Sequence, residues 1–227
     1  MRKNKIFIIV ITLMFIMLLQ VSGRVVHAQS YNGTCGESLE WNFNSATGVL
    51  KISGIGEMDD FSSGSQPWST YTDLITTVEI EVGVTSIGKC AFHYHTSLTN
   101  ITIPNTVKNI GKLAFYYCSN LVNINLPEGL EKINDNTFDG CSKLKSIKIP
   151  SSVTSIGSGA FRYCESLTNI EVPKNVIEIQ NSAFFSCNNL KEIKLPSDLL
   201  TIGQAVFSLC KNLTKIVVPK KVANIRY

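Results

Sequence analysis

A period of 23 residues governs this chain. Proline returns at Pro104, Pro127, Pro150, Pro173, Pro196 and Pro219, and cysteine at Cys118, Cys141, Cys164, Cys187 and Cys210. Phenylalanine returns at Phe92, Phe115, Phe138, Phe161, Phe184 and Phe207, and isoleucine at Ile87, Ile110, Ile133, Ile156, Ile179, Ile202 and Ile225. Four columns held in one phase are a structural repeat, and a period between roughly 20 and 29 residues builds a solenoid with one coil per unit.

Each unit opens on an apolar triplet at i, i+3 and i+5: Leu98, Ile101 and Ile103, then Leu121, Ile124 and Leu126, then Leu144, Ile147 and Ile149. The last two members alternate with polar residues, as a strand with one buried face requires. Proline follows and ends the strand, because it has no N–H to give a ladder. A second apolar pair comes next, Val107 and Ile110 or Val153 and Ile156. A glycine often follows (Gly88, Gly111, Gly157, Gly203) and is expected to allow a turn that other residues reach only with strain. The unit closes on A-F-x-x-C, which predicts a turn or a single helical turn. One unit cannot bury its own apolar side and stacked units can, so stability is expected from contacts between neighbours. The phenylalanine column should then run through the stack as a spine of rings. The expected fold is a repeat β-solenoid with a parallel β-sheet on one face, short turns or helical turns on the other, and a small β N-terminal cap.

Residues 1–28 read as a secretory signal peptide. Arg2, Lys3 and Lys5 precede a nearly unbroken apolar run of 14 residues, Ile6 to Leu19, and Val26-His27-Ala28 suits a cleavage site. The run is shorter than the roughly 20 residues that a spanning helix needs. This leader holds four of the 21 basic residues and none of the 17 acidic ones, so residues 29–227 balance at 17 of each. No global charge argues for nucleic acid, and no second apolar run argues for a membrane span after the leader is removed.

Residues 29–73 do not follow the repeat. Alternation at Leu39, Trp41 and Phe43, then at Val49, Leu50 and Ile52 beyond Thr47-Gly48, predicts two strands joined by a turn and followed by a glycine-rich loop from Gly54 to Ser65. This is the expected cap over the first coil. Both tryptophans, Trp41 and Trp68, fall here. They read as cap core, with a carbohydrate-stacking platform as the other reading. Residues 74–227 hold six full units, 74–96, 97–119, 120–142, 143–165, 166–188 and 189–211, and a partial seventh. The seventh keeps Leu213, Ile216, Val218, Val222 and Ile225, which makes self-association through residues 212–227 a second expectation.

Little in the chain points to catalysis. Beyond the leader the only histidines are His93 and His95, and neither has an obvious orienting carboxylate for a nucleophilic centre. Glu57, Asp59 and Asp60 are the nearest thing to a carboxylate cluster and read as a solvated loop. Cys90, His93 and His95 have the right atoms for a metal, but their spacing matches no strong zinc pattern. No cofactor or metal is expected. The five cysteines in one column read as buried thiols behaving as small apolar side chains. If any disulfide forms, Cys35–Cys90 is the pairing expected, joining cap to first coil. Asn32, Asn100 and Asn212 begin N-x-T sequons, which matter only in a host that glycosylates them.

The strand face is the candidate binding surface. Polar residues between the apolar triplets stack into two outward columns, from which Asn100, Thr102, Asn123, Asn125, Lys148, Asn169, Glu171, Glu192 and Lys194 are taken as partner-binding. Solenoids use such extended faces to bind, although a solvated strand face would also be polar. The phrase L-x-x-I-x-I-P-x-x-V-x-x-I-G-x-x-A-F-x-x-C resembles the BspA-type leucine-rich repeat found in secreted and surface proteins of gut and oral bacteria. The leader of W-x-F, G-x-L-x-I-S-G and Pro67-Trp68 is also similar to that preceding these repeats in clostridial relatives. Unit one departs from the pattern, with Glu81 in the proline column and His95 in the cysteine column, and Asn134 and Gln180 interrupt the glycines. The resemblance implies an adhesin-like module, secreted or at the cell surface, that recognises a protein or glycoprotein of host matrix, mucosa or another bacterial surface; with no catalytic motif among its residues, no enzyme is expected.

Overall fold

The structure, a computed structural model, describes residues 29–225, with side chains as far as Ala223. The expected leader at 1–28 and the Ile225 side chain lie outside the described residues. The chain forms a β-solenoid whose coils have three sides. The triplets make the first side: β5 (Thr77–Ile80), β7 (Asn100–Thr102), β9 (Asn123–Asn125), β11 (Ser146–Lys148), β13 (Asn169–Glu171) and β15 (Glu192–Lys194). Each proline carbonyl after them accepts an N–H from three residues on, as from Val153 to Pro150 at 3.1 Å. Proline therefore ends the strand and also opens the turn to the second side. Glu81 does the same in unit one, receiving Val84 N–H at 3.3 Å.

The second side is a parallel sheet that the sequence did not predict. Its strands are β6 (Val84–Ile87), β8 (Asn109–Ile110), β10 (Lys132–Ile133), β12 (Ser155–Ile156), β14 (Glu178–Ile179), β16 (Thr201–Ile202) and β17 (Asn224–Ile225). Isoleucine sits beside isoleucine in each pair, as Ile156 beside Ile179. The expected reason for the glycines on this side was wrong. Gly88, Gly111, Gly157 and Gly203 are not among the residues with positive φ. They are small because the coils touch: a Cβ on Gly111 would stand 2.5 Å from Lys89 N, and one on Gly203 2.5 Å from Asn181 N. The ladder breaks between β8 and β10, where Asn134 replaces glycine. There the Asn134 side chain donates to the Ile110 carbonyl at 2.7 Å. At its neighbours a backbone N–H fills that role, as from Gly157 to Ile133 at 2.8 Å.

The third side carries A-F-x-x-C and is neither a helix nor a simple loop. Alternate residues donate their N–H to the next coil: Leu113 to Asp135 (3.1 Å), Phe115 to Thr137 (2.9 Å) and Tyr117 to Asp139 (2.7 Å). Two positions per coil adopt positive φ to allow this, and most are not glycine: Leu113 (60°) and Tyr117 (57°), Asn136 (52°) and Gly140 (76°), Ser182 (55°) and Ser186 (60°). Left-handed residues other than glycine are uncommon, so their recurrence in register is imposed by the stack.

Between the three sides runs the core. Phe92, Phe115, Phe138, Phe161 and Phe184 are fully buried, and successive rings lie 5.3–5.5 Å apart within 14° of parallel. Phe207 continues the spine at 5.9 Å but is only half-buried. Beside the rings stands a ladder of thiols. Cys118, Cys141, Cys164, Cys187 and Cys210 each donate Sγ–H to the phenylalanine carbonyl 26 residues earlier, at 3.1–3.2 Å.

The cap differs from its expected form by one strand. β1 (Ser30–Gly36), β2 (Leu39–Asn44) and β3 (Val49–Gly54) form an antiparallel sheet, of which only β2 and β3 were expected. β3 then pairs in parallel with β5, Ile52 beside Ile80, and β4 (Gly56–Glu57) pairs with β6. The cap thus supplies a strand to each of the first two sides, as a coil would. A short 3-10 turn, Ser69–Tyr71, closes it. In the seventh unit Leu213, Ile216 and Val222 are only half-buried, and Val217 and Val218 are 69% and 42% exposed.

Candidate partner-binding face

All nine residues singled out on the strand face are exposed. The isoleucines between them point inward: Ile124, Ile147, Ile170 and Ile193 are buried. Period-2 alternation on a short parallel strand gives this result, because one face packs on the core and the other cannot. The 23-residue offset then sets neighbours. Asn125 stands beside Lys148, and Asn169 and Glu171 stand beside Glu192 and Lys194. Only some neighbours share a hydrogen-bonded ladder: β5 pairs with β7, β9 with β11, and β13 with β15, so the face is built in three parts.

Four of the nine residues converge. Asn169, Glu171, Glu192 and Lys194 rim a hollow of about 320 Å³ whose floor includes Ile147 and Ile170. Asn100, Thr102, Asn123 and Asn125 form an uncharged stretch nearer the cap. Lys148 lies between the two groups and is held by Glu128 at 2.8 Å, with both side chains largely in solvent, a pairing worth roughly 0–1 kcal/mol.

The other candidates resolve against binding chemistry. Trp68 is fully buried, which removes the carbohydrate-platform reading of the tryptophans. Its Nε1 donates to the Ala91 carbonyl at 3.1 Å. Trp41 is buried edge-on against it at 6.1 Å. Cys35 and Cys90, the pair named for the case that any disulfide forms, are both buried free thiols. Cys35 lies in β1, with its carbonyl bound to Asp59 N–H at 2.8 Å, whereas the Cys90 carbonyl is taken by Gln66 Nε2. Burial pushes the Cys35 thiol up to about 12.

Cys90, His93 and His95 do not converge on a metal. His93 Nδ1 meets Ser63 Oγ at 3.1 Å. His95 is fully buried, with Nδ1 donating to the His93 carbonyl at 3.3 Å and Nε2 without a partner. Among the described residues no group of three His, Cys, Asp or Glu stands close enough to hold an ion. Glu57, Asp59 and Asp60 line a polar cleft of about 870 Å³ between cap and first coils, with Lys108 across it. Asp60 there receives Lys89 N–H at 2.6 Å.

Sequence reasoning missed one surface feature. The two residues between phenylalanine and cysteine in each unit are aromatic in several coils, and on the third side they gather into a partly exposed cluster. The signal was legible as F-H-Y-H, F-Y-Y-C and F-R-Y-C.

Comparison with known proteins agrees with the geometry. The BspA type leucine-rich repeat region matches this chain in six copies, over residues 69–164 and 131–227. A leucine-rich repeat protein from Bacteroides ovatus is 32% identical with a TM-score of 0.64; the match covers 82% of this chain and 47% of that one, so this chain spans about half its length. The leucine-rich repeat protein of T. pallidum is 26% identical with a TM-score of 0.62, over 79% of this chain and 90% of that one. No curated protein matches, and the comparisons indicate no enzymatic family. No helix among the described residues is long and apolar enough to cross a membrane.

Proposed function

The chain belongs to the BspA-type leucine-rich repeat family, and from that premise we propose that it is a secreted or surface-associated, adhesin-like protein that binds a protein or glycoprotein through its strand face. One observation carries the reading. Five successive coils expose polar side chains in two aligned columns over inward-facing isoleucines, four of them buried. Solenoids present such extended faces to partners, and the mixed lysine and glutamate rim around the hollow at Asn169 and Lys194 offers charge complementarity to a polar partner. The hydrophobic leader at residues 1–28 supports export.

The test is a binding screen of residues 29–227 against immobilised extracellular-matrix proteins and mucins, with mass measured on the same sample by light scattering. Saturable binding by a monomer is expected. Lys148→Glu with Lys194→Glu should weaken it about tenfold or more while lowering the unfolding midpoint only slightly, since the neighbours Glu128 and Glu171 that they would repel are, like them, exposed. Binding unchanged by both reversals would exclude the strand face.

A further inference from the structure

The third side of the solenoid carries rings that the fold does not require. The positions after the spine phenylalanine hold His93 and Tyr94 in the first coil, Tyr116 and Tyr117 in the second, Tyr163 in the fourth and Phe185 in the fifth. Asp139, Gly140, Ser186 and Ser208 occupy the same columns elsewhere, so the coil closes equally well without an aromatic. Four of the rings nevertheless form one shelf, and Tyr163, two coils beyond Tyr117, meets Phe185 edge-on at 5.8 Å. His93 lies on Tyr116 at 4.8 Å and 14°. Tyr94 meets Tyr116 edge-on at 5.5 Å and tilts against Tyr117 at 5.2 Å. Gly140 has a reason here: a Cβ on it would stand 2.6 Å from Tyr117 Cδ2, so its absence lets the Tyr117 ring lie down on the next coil.

The shelf is open and partly polar. Tyr94 is 48% exposed, and the other rings are half-buried. Among the described residues no protein group hydrogen-bonds the hydroxyls of Tyr94, Tyr116, Tyr117 or Tyr163. Along its edge Arg162 stands over the Tyr163 ring at 5.4 Å. Arg162 also donates through Nε and Nη2 to Asp139 Oδ2, at 2.9 and 2.7 Å. The Asp139 side chain is fully buried and its Oδ1 has no partner.

We propose that this aromatic shelf is a carbohydrate-binding site that takes the sugar rings of an uncharged glycan. A pyranose has an apolar C–H face and a rim of hydroxyls. Ring faces edged by phenol, imidazole and guanidinium groups match both at once, and a small number of placed polar groups over apolar surface is the usual composition of a small-molecule site. A polyanion is disfavoured, because the guanidinium at the edge is already neutralised by Asp139. The site lies on a different side of the coil from the strand face and does not rest on it.

The test is calorimetric titration of the protein with cellotetraose, maltotetraose, chitotetraose and N-acetyllactosamine. At least one probe binds saturably, with a dissociation constant on the order of 1 mM or tighter. Tyr94→Ala with Tyr116→Ala weakens that binding by about tenfold or more, whereas Lys148→Glu with Lys194→Glu leaves it unchanged. Tyr94→Ser alone, at the most exposed ring, weakens it severalfold and serves if the double variant is unstable. Failure of all four sugars to bind overturns the proposal. So does binding that survives loss of the rings, or rings that prove necessary only for capture of a deglycosylated protein.

Discussion

The indole of Trp68 lies 5.7 Å from the ring of Phe92 and within 22° of parallel, extending the phenylalanine spine one step past the repeats. Trp68 sits 24 residues before Phe92 rather than 23, and the irregular chain of the cap absorbs the difference. The cap therefore does more than cover an open end, because it continues each layer of the core. Trp68→Ala should cost about 3–5 kcal/mol, read from urea unfolding followed by circular dichroism. Trp68→Phe, which restores the spine residue but loses the bond to Ala91, should recover most of that.

The spine itself should show position dependence. Phe138→Ala removes a ring stacked on both sides and should cost about 3–5 kcal/mol, whereas the half-buried Phe207 should cost clearly less on the same change. Urea unfolding of the two variants checks this. A cost below about 1 kcal/mol at Phe138 would contradict its place in the core.

Gly111→Ala reverses an ordinary expectation. Replacing glycine at a compatible φ usually stabilises by about 0.4–1 kcal/mol. Here the new methyl would meet the backbone of the preceding coil, and overpacking should destabilise by roughly 1–3 kcal/mol. Thermal unfolding of Gly111→Ala and Gly203→Ala should show lowered midpoints in both.

His95 stands in the thiol column without a bond for Nε2. Desolvation lowers its pKa from 6.5 to about 4 despite hydrogen bonds to the His93 and Phe92 backbone and the field of Asp73, with His93 adding to the fall. Its folded pKa lies below its unfolded one, so the unfolded chain takes up the extra proton. Stability from this group is complete above about pH 6.5 and declines as pH falls toward 4, by a total on the order of 3 kcal/mol. His95→Cys should flatten the stability curve across that window, measured by urea unfolding at several pH values.

The thiols should react in an order set by burial. Cys118, Cys141 and Cys164 are fully buried and desolvation holds their pKa values up. Cys210, on the last of the six full coils, is 9% exposed, the least buried of the five. Alkylation of the native protein followed by mass spectrometry should label Cys210 first. The inner three should react only at the rate of unfolding.

Most of the fold could be read from the columns, because repetition averages out the noise of any one unit. Ile133, Phe138 and Cys141 announce a core when the same residue types recur on both sides of them. Asn125 and Lys148 follow as surface neighbours from the period alone. β1 escaped notice because S-Y-N-G-T-C-G has no apolar alternation; backbone pairing with β2 makes it a strand, and its partner supplies the pattern. The aromatic shelf escaped because its rings occupy columns that also hold Asp139 and Ser208, so no single unit marks them.

The sequence by itself determined the solenoid, its period, the inward faces of its strands and the ring spine, since all four follow from which residues recur at which spacing. Only the tertiary structure decided that the coil has three hydrogen-bonded sides and that Leu113 and Tyr117 take left-handed backbone. It also decided that the glycines answer to the neighbouring coil rather than to a turn. The physical reason is common to all three. Backbone hydrogen bonds and close approaches between coils belong to main-chain atoms, which every residue carries alike, so no side-chain pattern records them until the coils are stacked.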